Sequence, residues 1–135
     1  MPYEEEIKKY IEALKILKPK LVILHGSIAR KEFGLGSDVD LIVVSDNLPD
    51  KIMDRIKLLY EIDETKAPLD IKGYKSEEIR KMIKKGNPLI MDAMEDGIIL
   101  FADENFLKEI LEFYKEERKN FKRIEKGWIK LFLWF

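Results

Sequence analysis

LVILHGSIARKEFGLGSDVDLIVVS, residues 21–45, holds two apolar runs separated by a polar, glycine-containing connection. Leu21-Val22-Ile23-Leu24 reads as a buried strand, because branched side chains fill a pleated surface packed on both faces. It stops at His25-Gly26-Ser27. Leu41-Ile42-Val43-Val44 reads the same way and is entered through Ser37-Asp38-Val39-Asp40. Alternation along a strand puts Asp38 and Asp40 on one face and Val39 and Leu41 on the other. Carboxylates about 7 Å apart on one strand face repel each other unless a cation lies between them. An oxygen-only pair suits a hard ion, and Mg²⁺ takes one or two protein carboxylates and completes its shell with substrate phosphates. Gly26 admits close backbone approach to a ligand. Ser27, opening a turn through Ile28-Ala29-Arg30, offers hydroxyl and amides to a phosphate. The local chemistry is that of a metal and a polyphosphate.

Gly26-Ser27, the ten residues 28–37, then Asp38-Val39-Asp40 resemble the signature of the DNA polymerase beta-type nucleotidyltransferase superfamily. Within it the stretch is most similar to the minimal nucleotidyltransferases (MNT), including Arg30 and the Ser37 just before the aspartates. It departs from them at His25, Ile28 and Lys31, where an aromatic, Arg and Gly are common in relatives. The resemblance implies a third carboxylate on a strand after the second long helix, and Asp70 in Leu69-Asp70-Ile71-Lys72-Gly73 stands there. It further implies that Asp38, Asp40 and Asp70 hold Mg²⁺ and carry catalysis, and that Gly26, Ser27, Arg30 and Ser37 bind the nucleotide. The reaction so implied moves a nucleoside monophosphate, AMP from ATP in the first place, to a hydroxyl of a macromolecule. Proteins of this kind often act as the antitoxin of a toxin–antitoxin pair, with an all-helical HEPN ribonuclease as partner. A module that blocks such a partner by contact alone, keeping the nucleotide pocket without catalysis, is the alternative.

A chain of 135 residues is one domain in size, long enough for a real core. Its 25 basic and 26 acidic side chains nearly cancel, which excludes a general electrostatic pull toward nucleic acid. Without cysteine there is neither a disulfide frame nor a thiolate metal site. The acidic start, Met1-Pro2-Tyr3-Glu4-Glu5-Glu6, is unlike a secretory leader. No apolar run approaches the ~20 residues that span a bilayer, so a cytoplasmic protein is expected.

Before the central stretch, Ile7, Tyr10, Ile11, Leu14 and Leu17 recur at helical spacing until Pro19. After it, Ile52, Met53, Ile56, Leu59, Tyr60 and Ile62 predict a helix with one broad buried stripe. Ser76 is a capping candidate for a third helix that Gly86 ends, and Asn87-Pro88 starts a fourth. Ile98-Ile99-Leu100-Phe101 reads as a last, buried strand. Asp103 caps a long helix in which Phe106, Ile110, Phe113, Phe121, Ile124 and Trp128 keep near-helical spacing. Residues 115–130 carry seven basic and three acidic side chains, which offers a weaker RNA-binding alternative to a solvated helix face. The apolar end, Trp128-Ile129-Lys130-Leu131-Phe132-Leu133-Trp134-Phe135, folds back on the core or forms an interface, with a partner or a second copy through the C-terminal helix. His25, the only histidine, is expected as a packed or hydrogen-bonded ring outside the chemistry.

These elements assemble as an α/β (α+β) two-layer sandwich: a mixed sheet of about four strands, helices on one face, and the site at one end of the sheet. The nucleotidyltransferase unit spans residues 1–102, and residues 103–135 form its C-terminal helical extension.

Overall fold

The computed structural model describes residues 1–32, 34 and 36–132. Helix α1 (Glu4–Leu14) begins with three glutamates facing its positive end, continues into a 3₁₀ turn at Lys15–Leu17, and stops where Lys18 takes a left-handed conformation before Pro19. Strand β1 (Leu21–His25) follows, then the single turn α2 (Gly26–Ala29) and strand β2 (Val39–Val44). The sheet is completed by β3 (Leu69–Tyr74), reached through α3 (Ile52–Glu61), and by β4 (Ile98–Ala102), reached through α4 (Ser76–Lys85) and α5 (Pro88–Asp96). Its order is β3-β2-β1-β4, with β2 antiparallel to β1 and parallel to β3, so the four-stranded mixed sheet is as expected.

Strand alternation divides the core in two. Val22, Leu24, Leu41 and Val43 pack with Ile7, Tyr10 and Leu14 of α1 and Leu59 of α3. Leu21, Ile23, Ile42 and Val44 pack with Ile79 and Ile83 of α4, Ile90 and Met91 of α5, and Phe106 and Ile110 of α6 (Glu104–Arg118). Helices therefore cover both faces, not one: a central β2 that is apolar at every position from Leu41 to Val44 needs a cover on each side. The Tyr10 hydroxyl donates to the Leu59 carbonyl at 2.8 Å and locks α1 to α3.

Several local expectations are corrected. The stripe on α3 is mostly outside: Ile52, Met53, Ile56 and Tyr60 are exposed, and Leu59 is buried beside Arg55. Arg55, 2% exposed, donates from Nε to the Pro49 carbonyl and from Nη1 to the Gly73 carbonyl and Glu78, so a hydrogen-bonded guanidinium fills space that an aliphatic side chain was expected to fill. Ser76 is not a cap; the Lys75 amide is bound by Glu78, and the Ser76 hydroxyl donates to Asp46. Strand β4 is neither buried nor last. It is a sheet edge with Ile98 and Ile99 more than 40% exposed. The helix begun at Asp103, whose carboxylate accepts from the Phe106 amide at 2.9 Å, ends at Arg118 instead of running to Trp128. Residues 121–130 form a hairpin of β5 (Phe121–Ile124) and β6 (Gly127–Lys130), turning at Glu125-Lys126 with Gly127 at positive φ. Aromatic and branched residues spaced three and four apart satisfied a helical count, yet they are also good strand formers, and the glycine decided between the two. Trp128 folds back onto the core; Leu131 and Phe132 are exposed, and Leu133, Trp134 and Phe135 lie outside the described residues.

Candidate active site

At one end of the sheet the register places His25 of β1 opposite Asp40 of β2, and Asp40 beside Asp70 of β3. All three project from the face that also carries Ile23 and Ile42, so three neighbouring strands present a row of His, Asp and Asp. Adjacent strands lie about 4.8 Å apart, which brings the two carboxylates into direct interaction. Burial and then the Asp70 charge push the Asp40 carboxyl above its usual range, with the Lys72 ammonium opposing them. Asp38, just before β2, is exposed at the lip of the row and adds to the negative field on Asp40.

The chain turns away from β1 at Gly26, where φ is +76°. A Cβ on Gly26 would lie 2.2 Å from Asp40 Oδ2, so any other residue would drive the carboxylate off its position. Glycine is required here twice over, by conformation and by contact. Ser27 follows in α2, half-buried, in the first turn, whose amides lack helical acceptors. Arg30 is exposed and holds Glu32 at 3.1 Å. The Ser37 hydroxyl accepts from the Gly34 amide at 2.9 Å and shapes the connection. The structure thus brings together Gly26, Asp40 and Asp70, sets Ser27 and Asp38 at the rim, and leaves Arg30 and Ser37 engaged in the loop between β1 and β2.

Two residues of the row were not anticipated as parts of it. Lys72 lies two positions after Asp70 on the same strand face, and its ammonium is 3.2 and 3.3 Å from the two Asp70 carboxylate oxygens. Strand alternation applied to LDIKG would have placed it there. His25 needed the register, which no single strand reveals. Of the packed or hydrogen-bonded ring that was expected, the packed form is found: among the described residues its buried Nε2 has no hydrogen-bond partner, and burial followed by the Lys72 charge pushes its pKa down to about 4. The ring is neutral at pH 7.

Among the described residues no three acidic or imidazole side chains are gathered closely enough to ligate one ion as they stand. The donor chemistry nevertheless fits a hard divalent cation: two adjacent oxygen donors, Asp40 and Asp70, short of positive charge, with Asp38 beside them, match an ion that fills its shell from phosphates. A groove of about 340 Å³ between α3 and β3 opens next to this pair, lined by Ile52, Ile56, Tyr60, Ile71 and Tyr74 along with Asp70 and Lys72. A larger depression, about 920 Å³, lies between α1 and the α3–β3 connection and contains none of the carboxylates. The row, and not cavity size, marks the candidate site.

The chain is similar to known proteins over most of its length. Residues 5–126 match the family described as the nucleotidyltransferase domain. A candidate protein adenylyltransferase of Methanocaldococcus jannaschii is 35% identical over 114 residues, covering 79% of this chain and 78% of that protein. Among solved structures, a toxin–antitoxin assembly with AMP-PNP superposes with a TM-score of 0.51 at 21% identity, over 83% of this chain and 89% of the matched one. A chain from the complex of tri-AMPylated Shewanella oneidensis HEPN toxin with MNT antitoxin gives 0.54 at 15% identity, over 86% and 83%. At these identities the two structural likenesses speak for the fold.

Proposed function

The chain belongs to the nucleotidyltransferase domain family and is a nucleotidyltransferase, and from that premise we propose that it transfers AMP from ATP, with Mg²⁺, to a hydroxyl of a protein acceptor. The observation that carries this reading is the close fit of Gly26 against Asp40 beside Asp70: a residue without a side chain lets the paired carboxylates sit directly against the turn whose amides can take a phosphate. The 35%-identical relative is described as a candidate protein adenylyltransferase, which supports a protein as acceptor.

Asp40 and Asp70, with Asp38, would hold Mg²⁺, which when bound neutralises charge on the phosphates and lowers the barrier to displacement. Gly26 and Ser27 bind the outer phosphates through backbone amides and the Ser27 hydroxyl. Arg30 and Ser37 reach the same phosphates only if they leave Glu32 and the Gly34 amide, their present partners. The acceptor oxygen attacks the α-phosphorus, the bond to the bridging oxygen breaks, and pyrophosphate leaves. The acceptor proton passes to the Asp70 carboxylate, the group nearest the groove. Exposed Ile52, Ile56 and Tyr60 on α3 line that groove and suit a protein surface as the acceptor's carrier. A toxin of the HEPN kind is the partner this reading favours. Among the described residues no helix is long and apolar enough to cross a membrane.

The test is transfer of label from α-phosphate-labelled ATP and Mg²⁺ into host lysate, beside a folded Asp38→Ala, Asp40→Ala double variant. Label on a discrete protein band, absent with the variant, is the expected result. An equally labelled band with the variant would sink the mechanism, and ATP binding with no transfer would favour the contact-only module.

A further inference from the structure

We propose that Lys72 is the resident counter-ion of the carboxylate row, seated on Asp70 in the metal-free protein and displaced from it when a divalent cation enters. This rests on the reading of Asp40 and Asp70 as metal-holding groups. Asp40 and Asp70 lie side by side at this end of the sheet with Asp38 at its lip, and Lys72 is the cation within ion-pair distance of any of them among the described residues. Its ammonium lies within 3.3 Å of both Asp70 oxygens, the two atoms a metal would need. A +1 and a +2 charge on one carboxylate repel each other, so entry of the metal favours departure of the ammonium.

The kind of residue fits a removable charge. A lysine is a compact point charge on a flexible stem, whereas an arginine would grip the carboxylate with a planar fork. The Lys72 side chain is 39% exposed and the Asp70 side chain 42%, so the ammonium can swing into water without crossing packed core. Both lie along the groove between α3 and β3, which gives the stem room to move. The fold does use arginine where one side chain bridges an acidic pair, at Arg123 on Asp92 and Asp96. Lys72 accordingly stabilises the row before substrate arrives and lowers the affinity of the nucleotide-free protein for metal.

The experiment is a Mn²⁺ titration of the full chain without nucleotide, followed by the paramagnetic signal of the free ion, for the natural protein, Lys72→Met and Lys72→Arg. Lys72→Met is expected to bind Mn²⁺ about fivefold more tightly or better, and Lys72→Arg no more tightly than the natural protein. A thermal melt of each metal-free variant checks that the fold is kept. Unchanged or weaker Mn²⁺ binding by Lys72→Met, or no Mn²⁺ binding by any of the three, would overturn the proposal. Because no ATP or acceptor is present, the outcome does not depend on transfer: tighter binding in a protein that transfers nothing would keep Lys72 in this role and remove the enzymatic reading.

Discussion

Asp40 and Asp70 lie side by side on β2 and β3; Asp92 and Asp96 lie one turn apart on α5. Each is a pair of like charges that must repel, and the molecule treats them differently. Arg123 of β5 donates to both Asp92 and Asp96, the Trp128 indole N–H donates to Asp92 at 2.9 Å, and Arg118 and Arg123 both lie over the Trp128 ring. Its hydrogen bond from Arg123 holds the Asp96 carboxyl below the usual carboxylate range. At Asp40 burial and Asp70 prevail, and the carboxyl is held above that range, with Lys72 as the opposing charge. The chain thus has a way to neutralise an acidic pair and does not apply it at the end of the sheet. A pair left short of positive charge is where a ligand can supply the remainder.

The largest effect that could break this contrast is at Asp40. Asp40→Asn removes one of the repelling charges, so transfer activity should fall by about a thousandfold or more while metal-free stability in urea rises by about 1 kcal/mol or less. A marked loss of stability would make Asp40 an ordinary structural group. Next comes Arg123→Ala, which should cost roughly 1–2 kcal/mol by leaving Asp92 and Asp96 to repel each other on one helix. Adding Asp96→Asn should recover part of that loss in the same melting experiment. No recovery would show that the hairpin holds through Trp128 and packing instead.

The smallest effect is in pH dependence. The folded pKa of His25, about 4, lies below its unfolded value of about 6.5. The unfolded chain therefore takes up a proton first as pH falls. Stability linked to His25 is complete above about pH 6.5 and is lost as pH drops toward 4. Asp40 has the opposite sign, because its raised pKa makes the folded state the better proton acceptor just above the ordinary carboxylate range. Urea midpoints between pH 7 and 5 should flatten in His25→Gln. A slope unchanged by that substitution would place the acid sensitivity elsewhere.

Much of the fold could be read from residues 21–45, because a strand buried on both faces is written as a continuous apolar run, and two such runs around GS and DVD admit few arrangements. Asp70 was legible only through the family resemblance; by itself LDIKG is a short strand with an acid on it. The misread parts share a physical cause. On α3 and in the hairpin, apolar residues were counted without knowing what would cover them, and Ile52, Met53 and Ile56 are left outside because Arg55 and Leu59 take the inward positions. His25 beside Asp40 depends on pairing between strands, which alternation within one strand does not encode.

The outer rim of β3 has a consequence for behaviour at high concentration. The Ile71 amide donates to the Tyr60 hydroxyl and the Gly73 carbonyl accepts from Arg55, so two ladder groups that face away from β2 are already satisfied from α3. A second chain cannot template onto that rim without first breaking those bonds. Crowded molecules would adhere instead at β4, on the far side, where Ile98 and Ile99 are bare. The edge that borders the candidate site is thereby kept from polymerising.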